Sequence, residues 1–439
     1  MNRAAFNTLA DRLVARLQGA EVLFANLGVE HSDFVRLNQN RVRQAGNVYG
    51  ASLALTLIDG ARQVDGDCDL SGDADADLAL TKSLLERLRA RLPLVPDDPY
   101  LNFGTEPFES NTEISADLPT ADQAIGTLVD LADGLDLVGI WASGRIGEGL
   151  VSSIGHRCWH QSESFNLDWS CYLDRDKAVK GAYSGFTWRP EQLAERIAAQ
   201  RERLAVMARP QRRIEPGRYR AFLAPAAVQE LTDMLAWGGF GLRDHRTRQT
   251  PLLALVNGDV ALHPELHISE ANDRGLAAGF TAEGFAKTAR VPLIADGRFG
   301  QCLVDARSAR EYGAEVNAAA EYPESIEMAA GDLPMDDALA RLGTGLYIGN
   351  LWYCNWSDRN ACRVTGMTRF GTFWVEDGKL AAPLAVMRFD DSLYRLFGDR
   401  LEGLTRERDL LLSAETYGGR SSDSALLPGA LIGGIDLAL

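Results

Sequence analysis

The segment that most constrains the fold of this chain runs from residue 345 to residue 383. The run Phe-Trp-Val at 373–375 favours a strand, and the Glu-Asp-Gly that follows at 376–378 is a turn signal. These residues predict a β-hairpin. Upstream, residues 351–370 mix aromatic residues, arginines and small polar residues, which neither a regular helix nor a regular strand requires. Such a mixture is typical of segments whose side chains line a groove.

The length and charge of the chain limit its organisation and its partners. A chain of 439 residues exceeds what one hydrophobic core usually supports, so we expect two or three domains. The net charge of −16 argues against nucleic acid or an anionic membrane as a partner, because both require basic surface. We expect a cytoplasmic protein, since no apolar run has the length of a signal peptide or of a membrane-spanning helix. Six cysteines without a C-x-x-C pair agree with reduced thiols.

The alternation of polar and apolar residues predicts an α+β fold. Apolar residues at helical spacing predict helices at 7–17 and 78–92. Between them, apolar and polar residues alternate at 34–44 and 49–58, which predicts antiparallel strands. Prolines at 93–107 then mark an irregular connection.

A second unit follows this connection. Helices are predicted at 120–132 and 190–208, with strands near residues 137 and 164. The charged, proline-bearing segment at 209–217 marks the main boundary. We therefore predict an N-terminal region of helices and antiparallel sheets, followed by a β-rich C-terminal domain. The predicted ranges are an N-terminal α+β domain at 1–110, a middle α+β domain at 111–212 and the C-terminal domain at 213–439.

Several short runs resemble the TldD/PmbA family, in the order in which that family has them. The central run is Thr-Gly-Met-Thr-Arg at 365–369, followed by Phe-Trp-Val-Glu-Asp-Gly at 373–378 and by Pro383. Others lie at 279–284, 291–299, 323–327 and 424–434. The resemblance implies the fold of this family, whose TldD-like and TldE-like (PmbA) subunits form proteases. It also implies a two-fold dimer that encloses a cavity, with its contact in the C-terminal domain.

The helix predicted after Pro225 decides which type of subunit the chain resembles. TldD-like subunits carry H-E-x-x-x-H there, and two histidines about one turn apart can hold a zinc ion. Residues 226–239 contain no histidine, and Asp233, Met234 and Gly238 stand where His, Glu and His would be. The resemblance is therefore to the zinc-free, TldE-like subunit, with no cofactor in this chain and zinc expected in a TldD-like partner.

The same helix also has an ordinary structural interpretation. Leu231, Met234 and Leu235 follow helical spacing and are predicted to form a buried stripe.

Two other groups of histidines are alternative metal sites. His263 and His267 are separated by four positions, but the proline after His263 favours a turn over a helix interior. On a strand, His156, Cys158 and His160 would point to one face and could bind a metal ion. We favour a half-buried strand with polar partners for these three residues.

The candidate substrate residues lie in the segment at 363–369. Arg363, Thr365, Gly366 and Arg369 are predicted to line a cavity that faces the partner's zinc, where an arginine can hold a peptide carboxylate. In the alternative interpretation, the tryptophans of this segment fill the core and the arginines pair with acids on the surface.

The resulting prediction is a TldE-like subunit of a peptidase that degrades peptides or removes leader peptides. Its expected partners are a zinc-bearing TldD-like chain, a peptide substrate, and a second copy of itself when that chain is absent. The alternative is a homodimeric protein that binds peptides or small ligands without cleaving them. Independent metallopeptidase activity at His156, Cys158 and His160 is the least favoured option, and no serine or cysteine nucleophile motif is evident.

Overall fold

The helices of the protein are distributed along the whole chain. A computed structural model describes residues 1–175, 177–414, 416 and 418–438. The helices are α1 (Arg3–Val14), α2 (Ala74–Arg91), α3 (Ala121–Leu131), α4 (Pro190–Met207), α5 (Pro225–Gly239), α6 (Leu242–Arg246), α7 (Leu253–Asn257), α8 (Ala306–Tyr312), α9 (Ala338–Leu342) and α10 (Leu393–Leu396). Within the described ranges, no helix combines the length and the apolar character needed to cross a membrane.

The first half of the chain builds one sheet of seven strands. Its strands are β1 (Val22–Asn38), β2 (Arg41–Asp59), β3 (Arg62–Asp69), β4 (Glu109–Ile114), β5 (Asp136–Ser152), β6 (Arg157–Asp174) and β7 (Lys177–Gly185). They are ordered β3-β2-β1-β5-β6-β4, and β7 also pairs with β6. Most neighbours are antiparallel, while β4 and β6 are parallel. The strands predicted around residues 34, 49, 137 and 164 all belong to this sheet.

Helices cover this sheet where its side chains are apolar. Leucines of α1 and α2 pack with leucines of β1 and β2 in one core, and α3 and α4 pack on β5, β6 and β7 in another. Strand β1 pairs with β5 over most of its length, so residues from both sides of the predicted boundary at 110 share one sheet. The division into an N-terminal and a middle domain stays a prediction.

The second half of the chain builds a larger, mixed sheet. Its strands are β8 (Gly217–Leu223), β9 (Ile268–Glu270), β10 (Val291–Ala295), β11 (Arg298–Phe299), β12 (Ser325–Met328), β13 (Gly345–Ile348), β14 (Trp352–Asp358), β15 (Arg363–Met367), β16 (Thr372–Glu376), β17 (Lys379–Pro383), β18 (Arg388–Ser392), β19 (Leu401–Leu412) and β20 (Ser424–Ala438). The main path is β11-β10-β9-β12-β20-β8-β13-β16-β17, with β14, β15, β18 and β19 attached beside it. Two largely separate sheets with covering helices confirm the α+β class.

The hairpin predicted from the sequence is present as β16 and β17. These strands pair antiparallel, and Asp377 and Gly378 form the two-residue connection between them. Both residues have positive φ, 48° and 73°, as the tight turns that match the twist of a hairpin require.

The two halves of the chain meet in a shared core. Phe222, Tyr347 and Phe373 of the second sheet belong to the same buried cluster as Trp141 and Phe165 of the first. Hydrogen bonds add to this contact, because Asn166 Nδ2 donates to the Ser413 carbonyl over 3.0 Å and Ser184 Oγ donates to the Leu410 carbonyl over 2.6 Å. The face of α5 that is not buried lies beside this junction.

Candidate functional site

Helix α5 separates its apolar residues from its acids. Pro225 begins the helix directly after β8, in the first turn, where a missing N–H costs least. Leu231, Met234 and Leu235 are 0%, 5% and 1% exposed, which confirms the predicted buried stripe. Glu230 and Asp233, three residues apart, are neighbours on the helix surface. The helix therefore presents two carboxylates on its unburied side.

The carboxyl group of Asp233 is strongly perturbed. Its side chain reaches solvent, yet it lies in a concave surface with protein on most sides. Loss of hydration, together with repulsion from Glu230 and Asp423, raises the pKa of Asp233 to about 7. Burial also raises the pKa of Glu230, against the attraction of Lys180. A carboxyl group that titrates near neutral pH can accept and donate a proton in working conditions.

Two further polar groups border these acids. Burial raises the pKa of Cys354 to about 12, with Glu230 and Asp233 adding repulsion, so its thiol stays protonated and is a poor nucleophile. Tyr322 is 45% exposed, and burial of its hydroxyl raises its pKa to about 12. The site thus offers neutral donors beside two acids.

Three positions of α5, Asp233, Met234 and Gly238, stand where the resemblance places the zinc motif. Met234, in the place of the glutamate, is buried in the core. The helix kinks at Trp237, and Gly238 has φ of 76°. A Cβ atom at Gly238 would lie 2.1 Å from Arg359 Nη2 and 2.8 Å from Asp244 Oδ2, so a side chain here would displace both groups, and the positive φ would strain any residue other than glycine. Of these three positions only Asp233 carries a side chain suited to zinc, and the lack of a zinc site in this chain stays a prediction.

An open cleft of about 530 Å³ lies between the first sheet and the segment that precedes β20. Its acidic lining residues are Glu30, Asp69, Glu148, Glu324 and Asp423. Burial raises the pKa of Glu148, repulsion from Glu324 adds to the rise, and Lys287 opposes it. Lys287 has a side chain that is 1% exposed, and its Nζ lies 2.6 Å from Glu324 Oε2. Asp423 acts electrostatically on both Glu148 and Asp233, so the cleft and the α5 acids form one acidic region.

Arg420 anchors the wall of this cleft to the first sheet. Its backbone N–H donates to Glu30 Oε2 over 3.2 Å. Its guanidinium group donates to the Gly144 carbonyl over 3.2 Å and to Ser164 Oγ over 2.7 Å. Burial lowers the pKa of Arg420 to about 10. These bonds hold the chain three residues before Asp423, and therefore position that acid.

The four predicted substrate residues have different environments. Arg363 forms an ion pair with Asp390, and Thr365 Oγ1 donates to the Phe389 carbonyl over 2.8 Å. A Cβ atom at Gly366 would lie 2.9 Å from Cys354 Sγ, so the neighbourhood of this strand reaches the α5 acids.

Arg369 differs from the other three residues. Its guanidinium carbon lies 5.2 Å from the Trp352 ring centroid and 4.4 Å from that of Phe370. Among the described residues it forms no ion pair, and its buried Nε has no acceptor. The alternative interpretation, in which the arginines of this segment pair with acids, therefore holds for Arg363 and not for Arg369. Contact of Arg363, Thr365, Gly366 or Arg369 with a substrate stays a prediction.

The histidines named as alternative ligands have protein partners. Nδ1 of His156 accepts from Ser152 Oγ over 2.7 Å, and its Nε2 donates to the Glu106 carbonyl over 3.1 Å. His160 Nε2 donates to the Leu276 carbonyl over 2.7 Å. The described part of the chain contains no group of three His, Cys, Asp or Glu residues that could hold a metal ion. His156, Cys158 and His160 are 0%, 2% and 5% exposed, and His156 lies just before β6. That these residues bind no metal ion stays a prediction.

Sequence reasoning missed most of the acidic region. Its one available signal was the pair Glu230 and Asp233, which stand on one face of an otherwise apolar helix. Glu148, Glu324 and Asp423 come from distant parts of the chain and carry no local signal.

Comparison with known proteins identifies the family of the chain. In a search by sequence, no curated protein matched. Three solved structures resemble the whole chain: TldE from Thermococcus kodakarensis (12% identity, 99% of this chain and 100% of that chain covered, TM-score 0.77), a proposed modulator of a DNA gyrase from Thermotoga maritima (14%, 99% and 100%, 0.74) and another from Bacteroides thetaiotaomicron (15%, 100% and 98%, 0.73). At these identities the likeness shows the fold. The model of the PmbA/TldA metallopeptidase C-terminal domain matches residues 216–438, more than half of the sequence, and the chain therefore belongs to the TldD/PmbA family.

Proposed function

We propose that this chain is the zinc-free, TldE-like subunit of a TldD/TldE-type peptidase. In this proposal, a TldD-like partner supplies the zinc, and this chain contributes one wall of the chamber in which a peptide is cleaved. The observation that carries the proposal is the geometry of α5. Met234 is buried, Gly238 has a positive φ and its Cβ position is occupied by Arg359 and Asp244, and Asp233 is the one ligand type at the three positions of the zinc motif.

The exposed aromatic groups of the second sheet support a contact with a partner. Trp352 and Tyr353 are 48% and 74% exposed, and their ring centroids lie 5.3 Å apart. Arg369 packs on Trp352. Tryptophan, tyrosine and arginine are the residues most enriched where protein interfaces gain their binding energy. We place the zinc-bearing side of the partner opposite this surface, with the peptide between the two chains.

The acids of α5 have a role in the same arrangement. Glu230 and Asp233 create a negative region inside the chamber, which attracts the amino group or the basic side chains of a peptide. A protonated Asp233 can also donate a hydrogen bond to a peptide carbonyl below neutral pH. The acids therefore contribute to binding, and the hydrolytic step belongs to the partner.

The test compares the chain alone with the chain co-expressed with a TldD-like partner. Alone, it should purify as a dimer in sedimentation, with well under one equivalent of zinc, and leave unstructured peptides intact in mass spectrometry. Together, the two chains should form a complex that contains zinc and cleaves the same peptides. The matched control is a partner whose H-E-x-x-x-H glutamate is changed to glutamine, which should abolish all cleavage.

Two results would contradict the proposal. Stoichiometric zinc in the isolated chain, lost on Asp233→Ala or on substitution of His156 or His160, would place a metal site in this subunit. A chain that stays monomeric at micromolar concentration and does not bind a TldD-like partner would remove the assembly on which the proposal depends.

A further inference from the structure

Strand β2 has an open edge along its first half. Residues 41–50 are exposed, whereas buried and more exposed residues alternate in the second half of the strand. Its inner edge pairs with β1 along the whole strand. On its outer side, β3 pairs with it only from Ser52 to Asp59. No described residue pairs with the outer edge between Arg41 and Gly50.

The direction of the backbone groups along this edge follows from the neighbouring strands. The Ala51 carbonyl points outward, because it accepts from the Leu70 N–H over 2.8 Å. Backbone polar groups alternate between the two edges of a strand, so Ala45, Asn47 and Tyr49 also direct their N–H and C=O groups outward. The register with β1 is regular here and shifts only beyond Arg36, opposite residues 42–44. The edge from 44 to 50 is thus regular, about 24 Å long and not paired with any residue that the structure describes.

The side chains along this edge place few limits on a neighbouring strand. The segment contains Ala45, Gly46 and Gly50, and neither proline nor lysine, which natural edge strands use to prevent pairing. A cleft of about 460 Å³ flanks one face, lined among others by Phe34, Gln44, Gly46 and Val48. An added strand would direct alternate side chains toward this cleft, the arrangement by which strand-adding sites gain specificity.

The charge near the edge indicates the chemistry of the occupant. Arg36, Arg41 and Arg43 lie at its far end, and among the described residues none of them forms an ion pair. The chain as a whole carries a net charge of −16, so this end is a local basic patch on an acidic protein. This basic patch favours the binding of an acidic peptide segment.

We propose that the outer edge of β2 at 44–50 binds an extended, acidic peptide segment as an added β-strand. The identity of the occupant as a peptide substrate rests on the proposed function, while the binding itself needs no partner chain. Backbone hydrogen bonds to Ala45, Asn47 and Tyr49 provide affinity for any extended sequence, and the arginines favour acidic side chains at one end.

The test measures binding of a fluorescein-labelled peptide of about eight alternating threonine and glutamate residues to the isolated chain by fluorescence anisotropy. Ala45→Pro removes one outward N–H and leaves the bonds to β1 in place, since proline is tolerated where the N–H of an edge strand faces solvent. It should raise the Kd about fivefold, because one hydrogen bond of roughly 1 kcal/mol is lost. Ala45→Ser keeps the N–H and is the matched control, with an unchanged Kd.

A second measurement changes only the peptide. Two peptides are prepared, one with N-methyl groups on the backbone amides of its odd-numbered residues and one with them on its even-numbered residues. Since only one set of amides can face the edge, one peptide should lose binding and the other should keep it. Equal behaviour of the two peptides, or an Ala45→Pro variant that folds and binds normally, would refute the inference.

Two further outcomes would also refute the inference and separate it from the proposed function. If Ala45→Pro converts a dimer into a monomer and the peptide never binds, the edge pairs with a second copy. If the complex with a TldD-like partner cleaves peptides normally when it carries Ala45→Pro, the edge is not a substrate site and the subunit role stands.

Discussion

Replacement of Gly238 by alanine tests whether the kink of α5 leaves room for a side chain. The residue has φ of 76° and ψ of 13°, a left-handed conformation that costs a residue with a Cβ atom about 1–2 kcal/mol. The new methyl group would also displace the guanidinium of Arg359, which donates from Nε to the Gln249 carbonyl over 2.9 Å and from Nη2 to the Trp237 carbonyl over 3.4 Å. Weakening of these bonds adds about 1 kcal/mol.

Gly258 offers a matched control. It ends α7 with φ of 78° and ψ of 13°, and no heavy atom lies within 4 Å of a Cβ atom placed there. The free energy of unfolding of Gly258→Ala should therefore fall only by the cost of the left-handed conformation, about 1–2 kcal/mol. The free energy of unfolding of Gly238→Ala should fall by about 2–3 kcal/mol. The difference between the two variants measures the cost of displacing Arg359 alone.

The assay is urea unfolding of each variant, with the midpoint and slope compared with those of the parent chain. A lower midpoint at an unchanged slope reports a change in stability. Equal losses for the two variants would refute the argument from crowding. The zinc-free assignment would then rest on the residue types at positions 233, 234 and 238 alone.

Three shorter predictions concern other residues of the site. Arg369→Ala should lower the free energy of unfolding by under about 1 kcal/mol, because it removes ring contacts and no ion pair, and it should impair peptide cleavage by the complex with a TldD-like partner. A large drop in Tm with unchanged activity per folded complex would refute the prediction that Arg369 holds a peptide carboxylate. The pKa of Asp233 is raised in the folded chain, so the folded state becomes less stable as pH rises from about 4 to about 7 and this carboxyl group loses its proton. After allowance for solvent screening, urea unfolding at pH 8 should give Asp233→Asn a free energy of unfolding about 1 kcal/mol above that of the parent chain, and at pH 4 the two should be equal. Arg420→Met should cost about 2 kcal/mol and speed proteolysis between residues 410 and 423, because it leaves buried acceptors unpaired; unchanged proteolysis would contradict the anchoring role.

Local sequence patterns determined several parts of the structure by themselves. The hairpin of β16 and β17, the helices α1 to α4 and the buried stripe of α5 depend on residues close in sequence, whose spacing matches the period of a helix or a strand. The absence of histidine on α5 was visible in the same way. The resemblance to the TldD/PmbA family also came from short runs of residues and is confirmed by the match to residues 216–438.

Only the tertiary structure decided how the candidate site is assembled. The pairing of β1 with β5 joins segments that local patterns assigned to two units, because strand order depends on long-range contacts. The pKa of Asp233 rises because the folded chain removes its carboxyl group from water, and repulsion from Glu230 and from Asp423, far along the chain, adds to the rise. Arg363 has an acidic partner and Arg369 has aromatic neighbours, although both belong to one basic segment. Burial, charge proximity and free strand edges are properties of the packed chain, so sequence periodicity cannot encode them.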